Sequence, residues 1–191
     1  MGERASRQRR GRVNVPELKT ERLLLRGWRD DDLNAYARIC ADPAVMRFLL
    51  PCRSLSRAEA AFDLQRLREH WRTHGFGHWA VQERATGRLV GRTGIKRHPD
   101  WPLDPDNTEV GWLYAHDVWG RGYATEGARA ALAFCLDELA RPEVISIAHP
   151  GNAASRRVME KAGLRFAGAR HWEQRGVDVV WYSSAAAPGV S

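Results

Sequence analysis

The stretch WGRGYATEGARAAL, residues 119–132, sets two glycines around an arginine and passes at once into good helix formers. The first turn of a helix leaves main-chain N–H groups unpaired and carries partial positive charge. Glycines there let an anion approach the backbone closely, so the stretch predicts a strand, a turn and a helix that together cradle phosphate. Thr108–Ala115 (TEVGWLYA) supplies the strand, running straight into the turn. After Gly122, the residues Ala124, Ala128, Ala131, Cys135 and Leu139 recur at helical spacing over about four turns. Thr125 stands where a third glycine of GxGxxG would fall, and no GK[ST] ending follows, so nicotinamide dinucleotides and nucleotide triphosphates are disfavoured. With no ligand, the same residues would form a plain glycine-rich turn.

Upstream, Arg22–Trp28 (RLLLRGW) reads as a first strand. An acidic helix start at Asp30, Asp31 and Asp32 follows, with Leu33, Tyr36, Ala37 and Cys40 at helical spacing. Ser56 and Glu59 fit a capping box, and Ala60, Leu64, Leu67 and Trp71 form one stripe of a helix ending near Gly75. His78–Gln82 and Leu89–Ile95 predict a hairpin around Ala85, Thr86 and Gly87, and the loop 98–107 is broken by Pro99, Pro102 and Pro105. Downstream, Val144–Ala148 is a fifth strand, Ala153–Ala162 a helix, and Leu164–Ala169 and Val177–Ser183 two closing strands. The order is mixed α/β in one domain, without internal repeat.

Composition narrows the classes. Cys40, Cys52 and Cys135 are an odd count with neither CxxC spacing nor a histidine cluster, which supports no disulfide framework and no zinc site and fits a reduced cytoplasm. The longest apolar run, Ala130–Leu136, is far shorter than the roughly 20 residues of a membrane span. The first residues, MGERASRQRRGRV, lack the apolar core of a signal peptide and read as a disordered basic arm. Five arginines against Glu3 give that arm +4 of the formal +7 charge. A solvated tail explains this plainly; a ribosome- or nucleic-acid-binding module using the arm is the competing class.

WGRGYA at 119–124 resembles the Q/R-x-x-G-x-G/A signature of the GNAT superfamily of N-acetyltransferases, whose loop amides bind the pyrophosphate of acetyl coenzyme A. Four further segments agree in order: TERLLLR at 20–26, GRLVGRTGI at 87–95, EVGWLY at 109–114 and NAASRRVMEKAGLRF at 152–166. Together they resemble the branch of the RimJ and RimL ribosomal-protein N-terminal acetyltransferases, over residues 18–183. The resemblance implies one GNAT-type domain over 16–184, between a basic arm at 1–15 and a flexible tail at 185–191. It implies a twisted, mostly antiparallel sheet of about seven strands flanked by helices and splayed between the fourth and fifth predicted strands. Two residues depart from the pattern: Trp119 replaces the leading Gln or Arg, and Met159 stands where many members carry a tyrosine that protonates the leaving thiolate.

Amide formation needs an uncharged amine, whereas an alkylammonium has a pKa near 10 and a terminal α-amine near 8. A base, reached directly or through water, must take that proton. Glu109 is the candidate, sharing a strand face with Gly111 while Val110 and Trp112 share the other. Read from the residues alone it is an exposed strand carboxylate; the resemblance makes it the base. The resemblance also assigns cofactor contacts to Trp112, Leu113 and Tyr114 on the splayed strand, where an N–H would meet the thioester oxygen. Further contacts fall to Trp119, Gly120, Arg121, Gly122, Tyr123, Ala124 and Thr125 in the loop. Asn152 and Ser155, one helical turn apart, can face the same cofactor arm, Asn152 through a hydrogen bond and Ser155 as a cofactor contact or as the donor to the thiolate; equally, both types serve as helix caps. The implied reaction is direct acetyl transfer from acetyl coenzyme A to a primary amine, on a protein N-terminus (a ribosomal protein among them) or a small molecule, without metal or covalent intermediate. A homodimer is compatible, and a non-catalytic acyl coenzyme A sensor is the reading that Met159 keeps open.

Overall fold

The computed structural model describes residues 14–185; the parts of the expected arm and tail at 1–13 and 186–191 lie outside them. Eight strands form one sheet: β1 (Leu18–Lys19), β2 (Leu23–Arg26), β3 (His78–Glu83), β4 (Leu89–Lys96), β5 (Glu109–Tyr114), β6 (Ile145–Ala148), β7 (Arg165–Trp172) and β8 (Val177–Ser183). Their order across the sheet is β1-β2-β3-β4-β5-β6-β8-β7. Every pairing is antiparallel except β5 with β6, which run parallel and share a single register pair, Glu109 with Ile145. The mixed α/β sheet and its splay are therefore as expected, with one strand more. β1 is too short to show a period and exists by pairing with Leu24 and Leu25 at the edge.

Five α-helices flank the sheet: α1 (Asp32–Ala41), α2 (Pro43–Met46), α3 (Arg57–His74), α4 (Tyr123–Ala133) and α5 (Ala153–Ala162). Strand alternation decides which layer each residue enters. Leu23, Leu25, Trp79, Val81, Val110 and Tyr114 pack with Tyr123, Ala131 and Cys135 of the α4 layer. On the opposite face Ala80 and Leu113 meet Tyr36, Ala37 and Cys40 of α1 and Ala60 and Leu64 of α3. A third cluster joins Met159 and Leu164 to Ala148, Val180 and Tyr182. Among the described residues, no helix is long and apolar enough to cross a membrane.

The caps follow local chemistry. The Ser56 hydroxyl accepts from the Glu59 N–H at 3.2 Å while the Glu59 carboxylate accepts from the Ser56 N–H at 2.8 Å, and Gly75 ends α3 at φ 73°. The α1 start differs from expectation. Asp31 makes no side-chain cap there, and Asp32 instead turns inward to hold buried Arg26 through two 2.8 Å bonds. The helical spacing after Gly122 holds through Leu139, but its last turn, Phe134–Glu138, widens to π geometry, with the Leu139 N–H donating to Phe134.

Candidate active site

The 119–132 stretch is a turn at the mouth of α4. Gly120 and Gly122 adopt φ of 76° and 83°, a left-handed conformation that suits glycine. Among the described residues, the N–H groups of Gly122, Tyr123, Ala124 and Thr125 have no protein acceptor; the first bond of the helix is Glu126 N–H to Gly122 O at 3.0 Å. Four adjacent unpaired donors at the positive end of a helix form an anion site. The flank is set by Arg22, which donates to the Arg121 carbonyl at 2.8 Å and pairs with Glu126 at 2.7 Å. Gly122, Thr125, Glu126 and Arg129 line an open cleft of about 620 Å³ with Arg22 and Lys161 opposite.

Side chains in the turn point several ways. The Tyr123 hydroxyl donates to Glu83 at 2.5 Å within the core, so only its main chain faces the turn. Ala124 packs against the same core, and Arg121 is exposed, 3.6 Å from Glu83. Trp119 is 47% exposed and donates its indole N–H to the Tyr114 carbonyl at 2.9 Å.

That bond marks one end of the splay. Ala115 N–H donates to Val90 O, which fixes the register so that Glu109, Gly111 and Leu113 bond to β4 while Val110, Trp112 and Tyr114 turn their main chains toward β6. At the closed end Ser146 Oγ donates to Val110 O at 2.7 Å. Between the two, no register pair joins Trp112 or Tyr114 to β6, and their main chains border the gap. The Leu113 main chain is committed to β4 and its side chain to the α1–α3 core. The Tyr114 side chain is buried beneath α4, where it meets Thr93 Oγ1 at 2.8 Å and where Gly127 is obligatory, since a Cβ there would lie 2.3 Å from the hydroxyl.

Glu109 sits at the closed end of the gap, on the face opposite α4, with its side chain 12% exposed, so it is largely enclosed rather than an exposed strand carboxylate. His98 Nε2 lies 2.5 Å from its Oε2, and Arg175 Nη2 lies 2.9 Å from His98 Nδ1. A guanidinium can only donate, so Nδ1 faces Arg175 as acceptor and Nε2 faces the carboxylate as donor. Asp100 holds Arg175 through two bonds of 2.7 and 2.8 Å. Burial pushes the Glu109 pKa up, but His98, the Lys96 ammonium and the Ile147 N–H together bring it below its usual value. Glu109 is thus a carboxylate favoured in its ionised form and held in place by His98.

The same face carries polar residues that no local motif announces. Arg92 Nη1 lies 2.8 Å from His78 Nδ1 and its Nε donates to the Tyr36 hydroxyl at 3.0 Å, which in turn donates to Asp63 at 2.6 Å. Trp71, expected on the apolar stripe of α3, is core: it is 2% exposed and donates its indole N–H to the His78 carbonyl at 3.0 Å.

On the other side of the gap, Asn152 Oδ1 accepts from the Ser155 N–H at 3.1 Å, so Asn152 is the α5 cap and the Ser155 side chain, half-buried, stays free of protein partners among the described residues. Met159 is fully buried among Leu164, Val180 and Tyr182 and offers no proton. His149 closes this end by stacking on Phe48 at 5.3 Å.

The geometry joins unpaired amides at a helix mouth, a gap between parallel strands and an enclosed carboxylate. Residues 22–165 match the family model described as an acetyltransferase (GNAT) domain. The chain is 31% identical over 160 residues to the FsC-acetyl coenzyme A-N(2)-transacetylase of Aspergillus fumigatus, covering 78% of this chain and 65% of that protein. A crystal structure of an acetyltransferase from Agrobacterium tumefaciens superposes with TM-score 0.76 at 27% identity, over 92% of this chain and all of the other. A RimL ribosomal-protein acetyltransferase in complex with coenzyme A shares the fold, with TM-score 0.70 at 15% identity over 86% and 94% of the two chains. The chain belongs to the GNAT acetyltransferase family.

Proposed function

We propose that this chain is an acetyl coenzyme A-dependent N-acetyltransferase that passes the acetyl group directly to a primary amine in a ternary complex. The observation that carries the reading is the enclosed Glu109 carboxylate at the closed end of the β5–β6 gap, on the strand whose far end leads into the turn with the unpaired amides of α4. The donor fits this chain's own groups. Four N–H donors from Gly122 to Thr125 suit a pyrophosphate, and the Trp112 main chain suits an amide-bearing arm laid between the strands.

In this reading Glu109 draws a proton from the ammonium, directly or through water. The free amine attacks the thioester carbonyl, whose oxygen takes on negative charge beside the Trp112 and Tyr114 amides. Collapse breaks the C–S bond, and the proton that the nitrogen still carries passes to the thiolate through the Ser155 hydroxyl or water, since Met159 cannot supply one. Direct attack by the amine leaves no acetyl group on the protein at any stage. The acceptor is a protein N-terminus or a small-molecule amine, and the reaction belongs to the cytoplasm, where acetyl coenzyme A is made available.

The test is to incubate the purified protein with acetyl coenzyme A and a mixture of primary amines, following free thiol and acetylated amine together. Equal amounts of both, with no acetyl group on the protein, are expected. Binding of the cofactor without either product would leave a sensor, and thiol release through an acetylated protein would replace direct transfer.

A further inference from the structure

The space over Gly111 is framed in part by groups that the transfer step does not use. The atoms nearest to a Cβ added at Gly111 would be His78 Cε1 at 3.6 Å, which the transfer step does not use, and the Glu109 carboxylate at 3.8 Å, which it does. Arg92 donates to His78 Nδ1, so the proton of this neutral ring is on Nε2, next to Cε1. His78 is 5% exposed, and its Nε2–H has no acceptor among the described residues. Lys96 stands opposite Glu109 in the β4–β5 register. Its ammonium makes no hydrogen bond or close ion pair among the described residues and interacts with Glu109 only at longer range.

The charges here balance when the site is empty. Lys96, Arg92 and Arg175 face Glu109, Asp63 and Asp100, with Arg66 farther out. A purely cationic acceptor would add positive charge to this buried set and, once Glu109 has taken its proton, would leave Lys96 without a counter-charge. An acceptor with a carboxylate near its amine brings its own compensation and satisfies both unpaired donors.

We propose that the acceptor is a zwitterion, an α-amino acid or a close relative, whose amine faces Glu109 and whose carboxylate is held by His78 Nε2–H and the Lys96 ammonium. This rests on the transferase reading above and narrows it, setting aside polyamine and aminoglycoside acceptors.

The experiment compares matched triplets under saturating acetyl coenzyme A: each free amino acid, its C-terminal amide and the decarboxylated amine, as with tryptophan, tryptophanamide and tryptamine across a range of side chains. The best free acids should exceed their amides and amines by roughly tenfold or more in kcat/KM, mainly through KM. In Lys96→Met the free-acid to amine ratio should fall by about tenfold. His78→Gln, which can still donate a hydrogen bond, should retain part of the ratio. The proposal is overturned if amides or amines are the better acceptors, if Lys96→Met lowers all three alike, or if no free acid reacts although acetyl coenzyme A binds. Absence of cofactor binding, measured separately by calorimetry, would instead remove the transferase reading itself.

Discussion

Replacing Glu109 by Gln removes a proton acceptor and the charge that faces Lys96, and leaves the shape of the site intact. The side chain keeps its length, its carbonyl oxygen can still accept from His98 Nε2–H, and the Arg175–Asp100 support behind His98 is untouched. The fold should therefore survive, and the loss should fall on turnover. A positioned base contributes typically 10²–10⁴ in rate, so the barrier should rise by about 3–5.5 kcal/mol. The loss should depend on the acceptor. At pH 7 an α-amine of pKa near 8 is about one-tenth uncharged, whereas an alkylamine near 10 is uncharged about once in a thousand molecules. The variant must wait for the free amine, so its deficit should be greater for the alkylamine and should shrink as pH rises through the amine's own pKa. In the unmodified protein Glu109 titrates below its usual value, so the carboxylate form is fully present above that range and its contribution is lost only as pH falls through the lowered pKa. Thiol release measured from pH 5 to 10 with an α-amine and an alkylamine tests this. A variant with undiminished turnover at pH 7, or a deficit independent of pH and of the amine, would refute the assignment of Glu109 as base.

Three further outcomes follow from particular contacts. Gly127→Ala should destabilise by about 1–3 kcal/mol despite alanine's better helix propensity, because its Cβ would lie 2.3 Å from the Tyr114 hydroxyl; denaturant unfolding should show Tyr114→Phe relieving much of that loss, and a simple stabilisation would contradict the packing. Asp32→Asn leaves the 4%-exposed Arg26 with an incomplete partner and should cost about 3–5 kcal/mol in the same assay, a change under about 1 kcal/mol counting against the pair's structural role. Glu59, held by Arg53 and then by the Ser56 N–H and hydroxyl, should titrate at about 2 by NMR, so its stabilising effect persists above its unfolded value and disappears only as pH falls through 2; Arg53→Ala should move it upward, and an unmoved value would contradict the pairing.

What could be read from the sequence was whatever is local and repeated. Ser56 and Glu59 lie three residues apart and cap α3; Ala60, Leu64 and Trp71 share one helix face; Gly122 precedes a helix whose first amides need an acceptor. Glu109 was legible as a strand residue, but its burial was not, because the partner that buries and orients it lies across a proline-broken loop. His98 and Arg175 come within 2.9 Å from 77 residues apart, a pairing that only the β5–β6–β8 order creates. His78 and Lys96 were hidden for the same reason. Each is an ordinary member of an alternating strand, and only the sheet register places them around Gly111. Asn152 illustrates overlap: its side chain caps α5 as its type predicts, and its place beside the gap comes from the parallel run of β5 and β6.

The most direct test of the account is titration calorimetry of acetyl coenzyme A into the intact protein and into Gly122→Trp, at two salt concentrations. A side chain at Gly122, where φ is 83° and Arg22 lies 3.3 Å from an added Cβ, would disturb the turn that presents the four unpaired amides. The account predicts saturable one-to-one binding by the intact protein at both salt concentrations and its loss in a variant that still unfolds cooperatively. No binding by the intact protein, or equal binding by the variant, would contradict the placement of the cofactor at the mouth of α4.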